Sequence, residues 1–225
     1  MLLRLPSKHI IQAFQRKLLS WYFLHGRKFP WREIQLDPYR AIIAEILLQR
    51  TKAETVSKVY LEFLRKFPSW KSIVDTDIKQ LESVLTPLGL YRQRARGLKA
   101  LAEKMIDTKG ILPQNRDELM QLPMMGQYLA NAVELVLWNK PSPLLDVNMA
   151  RLLERYFKKR KLADIRHDPY LQKLSSAIVN TPNALEMNWA VLDFAALVCK
   201  AVKPECEICI LNEDCKYYKN SVKDK

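Results

Sequence analysis

All four cysteines of the 225-residue chain, Cys199, Cys206, Cys209 and Cys215, fall in its last quarter. Thiols crowded into one short stretch point to a single metal centre, because a chain able to bury a core of this size needs no disulfide framework. The spacing C-x6-C-x2-C-x5-C suits either a 4Fe–4S cluster or a structural zinc. Zinc sites more often show two close pairs and this run shows one, which leaves both readings open.

A second group of candidates lies in the middle of the chain. The stretch Arg116–Leu137, RDELMQLPMMGQYLANAVELVL, reads as a short helix, a tight turn over Leu122-Pro123-Met124-Met125-Gly126, and a second helix. A turn that ends at a helix N-terminus presents backbone N–H groups able to hold a phosphate without reading bases. Gly126 allows close backbone approach there. Beyond Pro141 and Pro143, the stretch LLDVNMARLLERYF puts Asp146 at the start of the next helix. The ordinary role of a carboxylate in that place is an N-cap.

The elements that position these groups read as helical throughout. Ile11, Phe14, Leu18 and Trp21 form an amphipathic stripe, and Val56, Val59, Tyr60, Phe63 and Phe67 form another behind Thr51 as an expected N-cap. Leu98, Leu101, Ala102 and Met105 give a third, closed by Gly110 as an expected C′ residue. Alternating β-branched runs are absent, so the fold class is all-α.

Charge points to a partner. Thirty-seven Lys and Arg against 24 acids leave a formal net charge of +13, which favours a polyanion, nucleic acid before an anionic membrane. The clusters RQRAR (Arg92–Arg96) and KKRK (Lys158–Lys161) either line phosphates or form solvated helix faces. The 48 % hydrophobic content fits a globular chain. Apolar runs such as Leu135–Trp138 fall far short of a membrane span, and the N-terminus MLLRLPSKHIIQAFQ lacks a secretory apolar region. The expected location is therefore cytoplasmic, nucleoid-associated through DNA, with no membrane partner.

Taken together, LPMMGQYLANAV followed by LLDVN resembles the helix–hairpin–helix, loop and Asp signature of endonuclease III and its mismatch-glycosylase relatives. FPWR (Phe29–Arg32) with DPYRAIIAEILLQRT (Asp37–Thr51) is similar to the mismatch-glycosylase branch. The resemblance runs from about Phe29 to Tyr218, with the motifs in the family's order. It implies two helical domains, a six-helix barrel with the helix–hairpin–helix over residues 30–138 and an iron–sulfur domain over 1–29 and 139–225, with the active site in the cleft between them. It also implies that Cys199, Cys206, Cys209 and Cys215 hold a 4Fe–4S cluster, whose basic loop (Lys200, Lys203) faces DNA. In one respect the chain departs from the pattern. The family hairpin reads LPGVG, whereas Met124 and Met125 stand in the Gly and Val places, and a non-Gly residue at the first strains the turn or weakens its phosphate contact.

The resemblance assigns roles to single residues. Cutting an N-glycosidic bond builds positive charge on the deoxyribose, and Asp146 matches the carboxylate that stabilises it. Whether it also orients water or bonds the sugar transiently is open. Tyr128 stands where bifunctional relatives carry a Schiff-base lysine; a phenol cannot form that imine. Asn148 matches a residue that organises sugar and water. Glu45 matches one that protonates a purine in adenine-excising relatives; for a pyrimidine it would hydrogen-bond the base. Trp31 and Asp193 fall at matching pocket positions, Gln49 and Arg50 at the wedge that fills the gap left by an extruded base. Leu122, Met125, Gly126, Gln127 and Lys203 match DNA-contacting positions.

Adenine glycosylases usually show Gln-Gln at the wedge, and the archaeal-type G·T thymine glycosylases resemble Arg-Arg. Gln49-Arg50 is intermediate, while AEILLQRT, LPQNRDELMQLP, NMARLLERYF and LDFAALVC tilt towards the thymine enzymes. The chain also ends soon after the cysteines, where bacterial adenine glycosylases continue into a further domain. The expected protein is a monomeric, monofunctional DNA glycosylase acting on thymine or uracil opposite guanine in double-stranded DNA. An adenine glycosylase acting at mismatches is the alternative. A non-catalytic iron–sulfur DNA-binding protein is a third reading, against which Asp146, Tyr128, Asn148 and Glu45 together speak.

Overall fold

The computed structural model describes residues 4–32 and 37–223, and among these every regular element is a helix. The all-α expectation stands. The chain divides into two compact units, residues 28–133 and residues 1–27 with 134–225.

The unit over 28–133 holds α2 (Pro38–Leu48), α3 (Ala53–Lys66), α4 (Trp70–Asp75), α5 (Ile78–Leu85), α6 (Tyr91–Asp107), α7 (Arg116–Met120) and most of α8 (Gln127–Val136). Its helix starts follow local chemistry. Asp37 caps α2 ahead of Pro38, Ser69 forms a reciprocal capping box with Ser72, and Asp77 and Asn115 cap α5 and α7. Helices α4 and α5 pack on α6, burying Leu98, Leu101, Ala102 and Met105 along one face.

Three local expectations are corrected here. Thr51 does not cap α3: Lys52 is the N-cap and makes no side-chain cap bond. The Thr51 hydroxyl instead donates to the Leu88 carbonyl at 3.0 Å. Gly110 is not C′ but the residue after it, its N–H reaching the Met105 carbonyl at 2.7 Å while Lys109 takes the left-handed C′ place at φ 54°. RQRAR is not one solvated face, since Arg92 and Arg96 are exposed whereas Arg94 is buried.

The other unit contains α1 (Lys8–His25), the end of α8, α9 (Val147–Tyr156), α10 (Pro169–Val179), α11 (Ala184–Leu197) and α12 (Lys216–Lys223). Here α1 packs on α11 and α11 on α9. The expected α1 stripe supplies the contact: Phe14 and Leu18 are fully buried, Phe14 lies against Tyr156 and Phe157, and Trp21 meets Phe194 edge-on at 5.0 Å. No helix among the described residues is long and apolar enough to cross a membrane.

Candidate functional site

Asp146 is the N-cap of α9, and its carboxylate does more than cap. One oxygen accepts the backbone N–H groups of Asn148 (2.9 Å) and Met149 (2.8 Å). The other accepts the Asn148 side-chain amide at 2.6 Å. Arg151 donates to the far oxygen of that amide at 3.1 Å, and to the carbonyls of Cys199 (2.9 Å) and Ala195 (2.7 Å). Asp146, Asn148 and Arg151 thus form one braced row reaching the end of α11.

Burial pushes the Asp146 carboxyl above its ordinary value of 3.8, opposed by its hydrogen bonds to Met149 and Asn148 and by the Arg151 charge. A reaction needing the ionised carboxylate therefore loses rate, as pH falls, at a higher pH than an ordinary Asp would dictate. Asn148→Ala removes a bond that favours the charged form, so the acid limb of the single-turnover pH–rate profile should move further up. An unmoved limb would detach that amide from the carboxylate's titration.

In the other unit, α7 and α8 form the expected hairpin. Arg116 braces it by donating to Asn131 at 2.7 Å, and the turn closes through Met125 N–H to Leu122 O (3.1 Å) and Gly126 N–H to Met124 O (2.9 Å). Gly126 is exposed at the start of α8, Leu122, Gln127 and Tyr128 are half-buried, and Met125 is buried. The departure from the family hairpin is absorbed. Met124 takes the left-handed conformation, φ 65°, at a cost of about 1 kcal/mol. Its side chain lies where Gly97 of α6 leaves room: a Cβ at 97 would stand 2.6 Å from Met124 Sδ and 2.7 Å from its Cγ.

That contact makes a signed prediction. Gly97→Ala should cost about 1–3 kcal/mol in the native background by overpacking. In a Met124→Gly background the same change should stabilise by about 0.5–1 kcal/mol, since Ala outranks Gly inside a helix. Denaturant unfolding of the four variants measures the coupling; equal effects in both backgrounds would show that the two side chains do not share this space.

Glu45 is buried within α2, and Trp31 is buried and stacked on Phe29 with ring centroids 4.7 Å apart, with Tyr60 nearly perpendicular to it. Gln49 is the C-cap of α2, and Arg50 follows it exposed at φ 56°. Asp193 is fully buried and engaged with Arg27, accepting its backbone N–H at 2.7 Å and its guanidinium at 2.7 and 2.8 Å. The structure brings Asp146 together with Asn148, and Gln49 together with Arg50, and gives Asp193 an ion-paired place of its own.

The four cysteines line one pocket, walled also by Leu152, Tyr156 and Phe194. Cys199 follows α11, Cys206 and Cys209 bracket a turn, and Cys215 immediately precedes α12. Burial pushes the thiols of Cys206, Cys209 and Cys215 up, Cys209 to about 11, so a metal must displace their protons. Among the described residues, no group of three or more His, Cys, Asp or Glu side chains forms a site for a metal ion. Four thiols lining one pocket nonetheless match the donor set of an iron–sulfur group. Lys203 is exposed in the loop before Cys206, while Lys200 is paired with Glu205 at 2.5 Å.

Sequence reasoning missed Arg151, Arg155 and Arg94. Arg155 donates to Cys199 Sγ at 3.4 Å and to the Lys200 carbonyl at 2.7 Å, and lies over the Tyr217 ring. A signal existed: Asn148, Arg151 and Arg155 recur at i, i+3 and i+7, one polar row on α9. Arg94, Leu98 and Leu101 fall at i, i+4 and i+7 on the buried face of α6.

Comparison with known proteins bears on both regions. Residues 43–176 match the family described as HhH-GPD superfamily base excision DNA repair protein, and residues 199–215 match the iron-sulfur binding domain of endonuclease III. A thymine-DNA glycosylase from Aeropyrum pernix is 38 % identical over 95 % of this chain and 98 % of its own. A thymine/uracil-DNA glycosylase from Pyrobaculum aerophilum is 37 % identical over 91 % of each. An adenine DNA glycosylase from Buchnera aphidicola is 33 % identical, with 59 % of its length matched. Among solved structures, a thermostable thymine-DNA glycosylase superposes with a TM-score of 0.85 at 33 % identity, covering 93 % of this chain and 97 % of that one.

Proposed function

Because the chain belongs to the HhH-GPD superfamily of base excision DNA repair proteins, we propose that it is a DNA glycosylase that hydrolyses thymine or uracil from mispairs with guanine and leaves the strand uncut. The observation that carries the hydrolytic reading is the Asp146 carboxylate. It is half-buried, held on both oxygens, and kept from full stabilisation by desolvation. Such a carboxylate suits a cationic transition state, because the charge that develops on the sugar supplies what the carboxylate lacks in the ground state. The base preference rests on similarity to thymine and thymine/uracil enzymes across nearly the whole of both chains.

In this reading the Leu122–Gln127 turn holds a phosphate through its backbone N–H groups, and Lys203 separately meets the DNA backbone. Gln49 and Arg50 fill the gap left by the extruded base, while Glu45 hydrogen-bonds the base and Trp31 walls the pocket. Asp146 stabilises the sugar cation and Asn148 orients it. Asp193, paired with Arg27, stands at a pocket position. Tyr128 supplies no amine, so no covalent imine forms.

Cys199, Cys206, Cys209 and Cys215 would hold a 4Fe–4S cluster. Bound there, it would join the end of α11 to the start of α12 and would supply no hydrolytic step. Cys206→Ser or Cys209→Ser should cost most of about four irons per chain and the broad absorbance near roughly 400 nm. Stoichiometric zinc in anaerobically prepared native protein would contradict the assignment.

Free-base release from G·T, G·U, A·G and A·oxidised-G duplexes tests the preference. Release of thymine and uracil is expected; release of adenine alone would move the protein to the adenine branch.

A further inference from the structure

Helix α2 ends in an expensive way. Its last carbonyls have no intrahelical partner, and such ends are commonly closed by a glycine at C′ in the left-handed conformation. Here C′ is Arg50, exposed at φ 56°, at a backbone cost of about 1 kcal/mol that glycine would avoid. The turn is held in that shape from behind by a buried guanidinium. Arg94, 4 % exposed, donates through one nitrogen to the carbonyls of Ile46 and Leu47 (3.2 Å to the latter). Through the other it donates to the Gln49 carbonyl and the Thr51 hydroxyl, both at 3.1 Å. Thr51 in turn ties the turn to the Leu88 carbonyl at 3.0 Å, with its N–H on Leu48 O at 3.1 Å.

We propose that Arg94 is a positioning residue for base extrusion: it fixes the Gln49–Arg50–Thr51 turn so that Arg50 projects ready to occupy the gap in the duplex. This rests on the reading of Arg50 as the residue that fills that gap. The chemistry favours arginine for the task. Four acceptors are arrayed around one planar fork, which a lysine ammonium, with three donors at one point, cannot span. Burying a cation to stop a helix is costly where glycine would serve. The arrangement is explained if the exposed arginine and its direction are what is being kept, because filling the gap with a fixed side chain avoids ordering it at the moment of insertion. The sequence cluster RQRAR thus divides its labour, with Arg92 and Arg96 left exposed and Arg94 turned inward.

The test uses a G·T duplex with 2-aminopurine beside the thymine, whose fluorescence rises on unstacking, together with single-turnover base release. Arg94→Met, Arg94→Lys, Thr51→Val and Arg50→Ala are compared at a temperature where far-ultraviolet circular dichroism shows each folded. Arg94→Met and Thr51→Val should lower both the fluorescence rise and the rate by about tenfold or more, as a misdirected reacting group does, and Arg94→Lys should restore part of each. Binding to matched duplex should stay within about twofold, since phosphate contacts are untouched. Should Arg94→Met not fold, Thr51→Val, which keeps the buried cation, decides. If Arg50→Ala loses extrusion while Arg94→Met and Thr51→Val retain it, Arg94 is only a structural brace and the inference falls. If Arg50→Ala itself retains extrusion, the reading of Arg50 beneath it falls first.

Discussion

Asp146→Asn is expected to lower single-turnover base release by about 10³-fold or more while duplex affinity changes little, because it removes charge stabilisation that matters in the transition state and no phosphate contact. The substitution keeps the cap and gives up one bond, the one that the second carboxylate oxygen accepts from the Asn148 amide. Asp146 caps α9, and asparagine caps a helix about as well as aspartate, so lost activity is not lost folding. The linkage sign sharpens the point. The folded-state pKa of Asp146 is raised by burial, so its folding contribution is most favourable below the ordinary carboxylate value and is lost as pH rises through the folded one. At neutral pH the neutral amide should therefore leave the melting temperature unchanged or higher, with the gain shrinking as pH falls towards the ordinary carboxylate range. A variant that lost both activity and stability at pH 7 would make Asp146 a cap and nothing more.

How much of this was legible in the sequence depends on the distance between partners along the chain. The hairpin, the Asp146 cap and the α1 stripe were readable because their determinants lie within a few residues of one another. Asp146 and Asn148 are two apart, and Ile11, Phe14 and Leu18 follow helical spacing. What escaped depends on remote partners. Thr51 reads as an N-cap from its neighbours alone, but its hydroxyl is taken by Leu88 and Arg94. The isolation of Asp193 from solvent follows from Arg27, 166 residues away. The accommodation of Met124 depends on a missing side chain at Gly97, which no local pattern could reveal.

Tyr128→Lys should create an activity the native chain is proposed to lack. It sets a primary amine in the second position of α8, directly after the hairpin. The site is half-buried, and burial lowers a lysine's pKa, leaving more of it neutral and nucleophilic. The variant should then form an imine with the deoxyribose, giving a borohydride-trapped complex and strand nicking from a baseline near zero, even if base release slows. Tyr128→Phe is the control: it keeps the ring and should gain neither. Equal trapping by the Phe variant would point to an amine elsewhere in the chain.

The central claim is tested most directly by one duplex, 5′-labelled on the thymine strand of a single G·T pair, incubated with the native protein and divided in two. Without alkali the strand should remain full length, and with alkali it should break at the thymine and nowhere else. A strand that survives alkali, or one already cut at the thymine before it, would contradict the account.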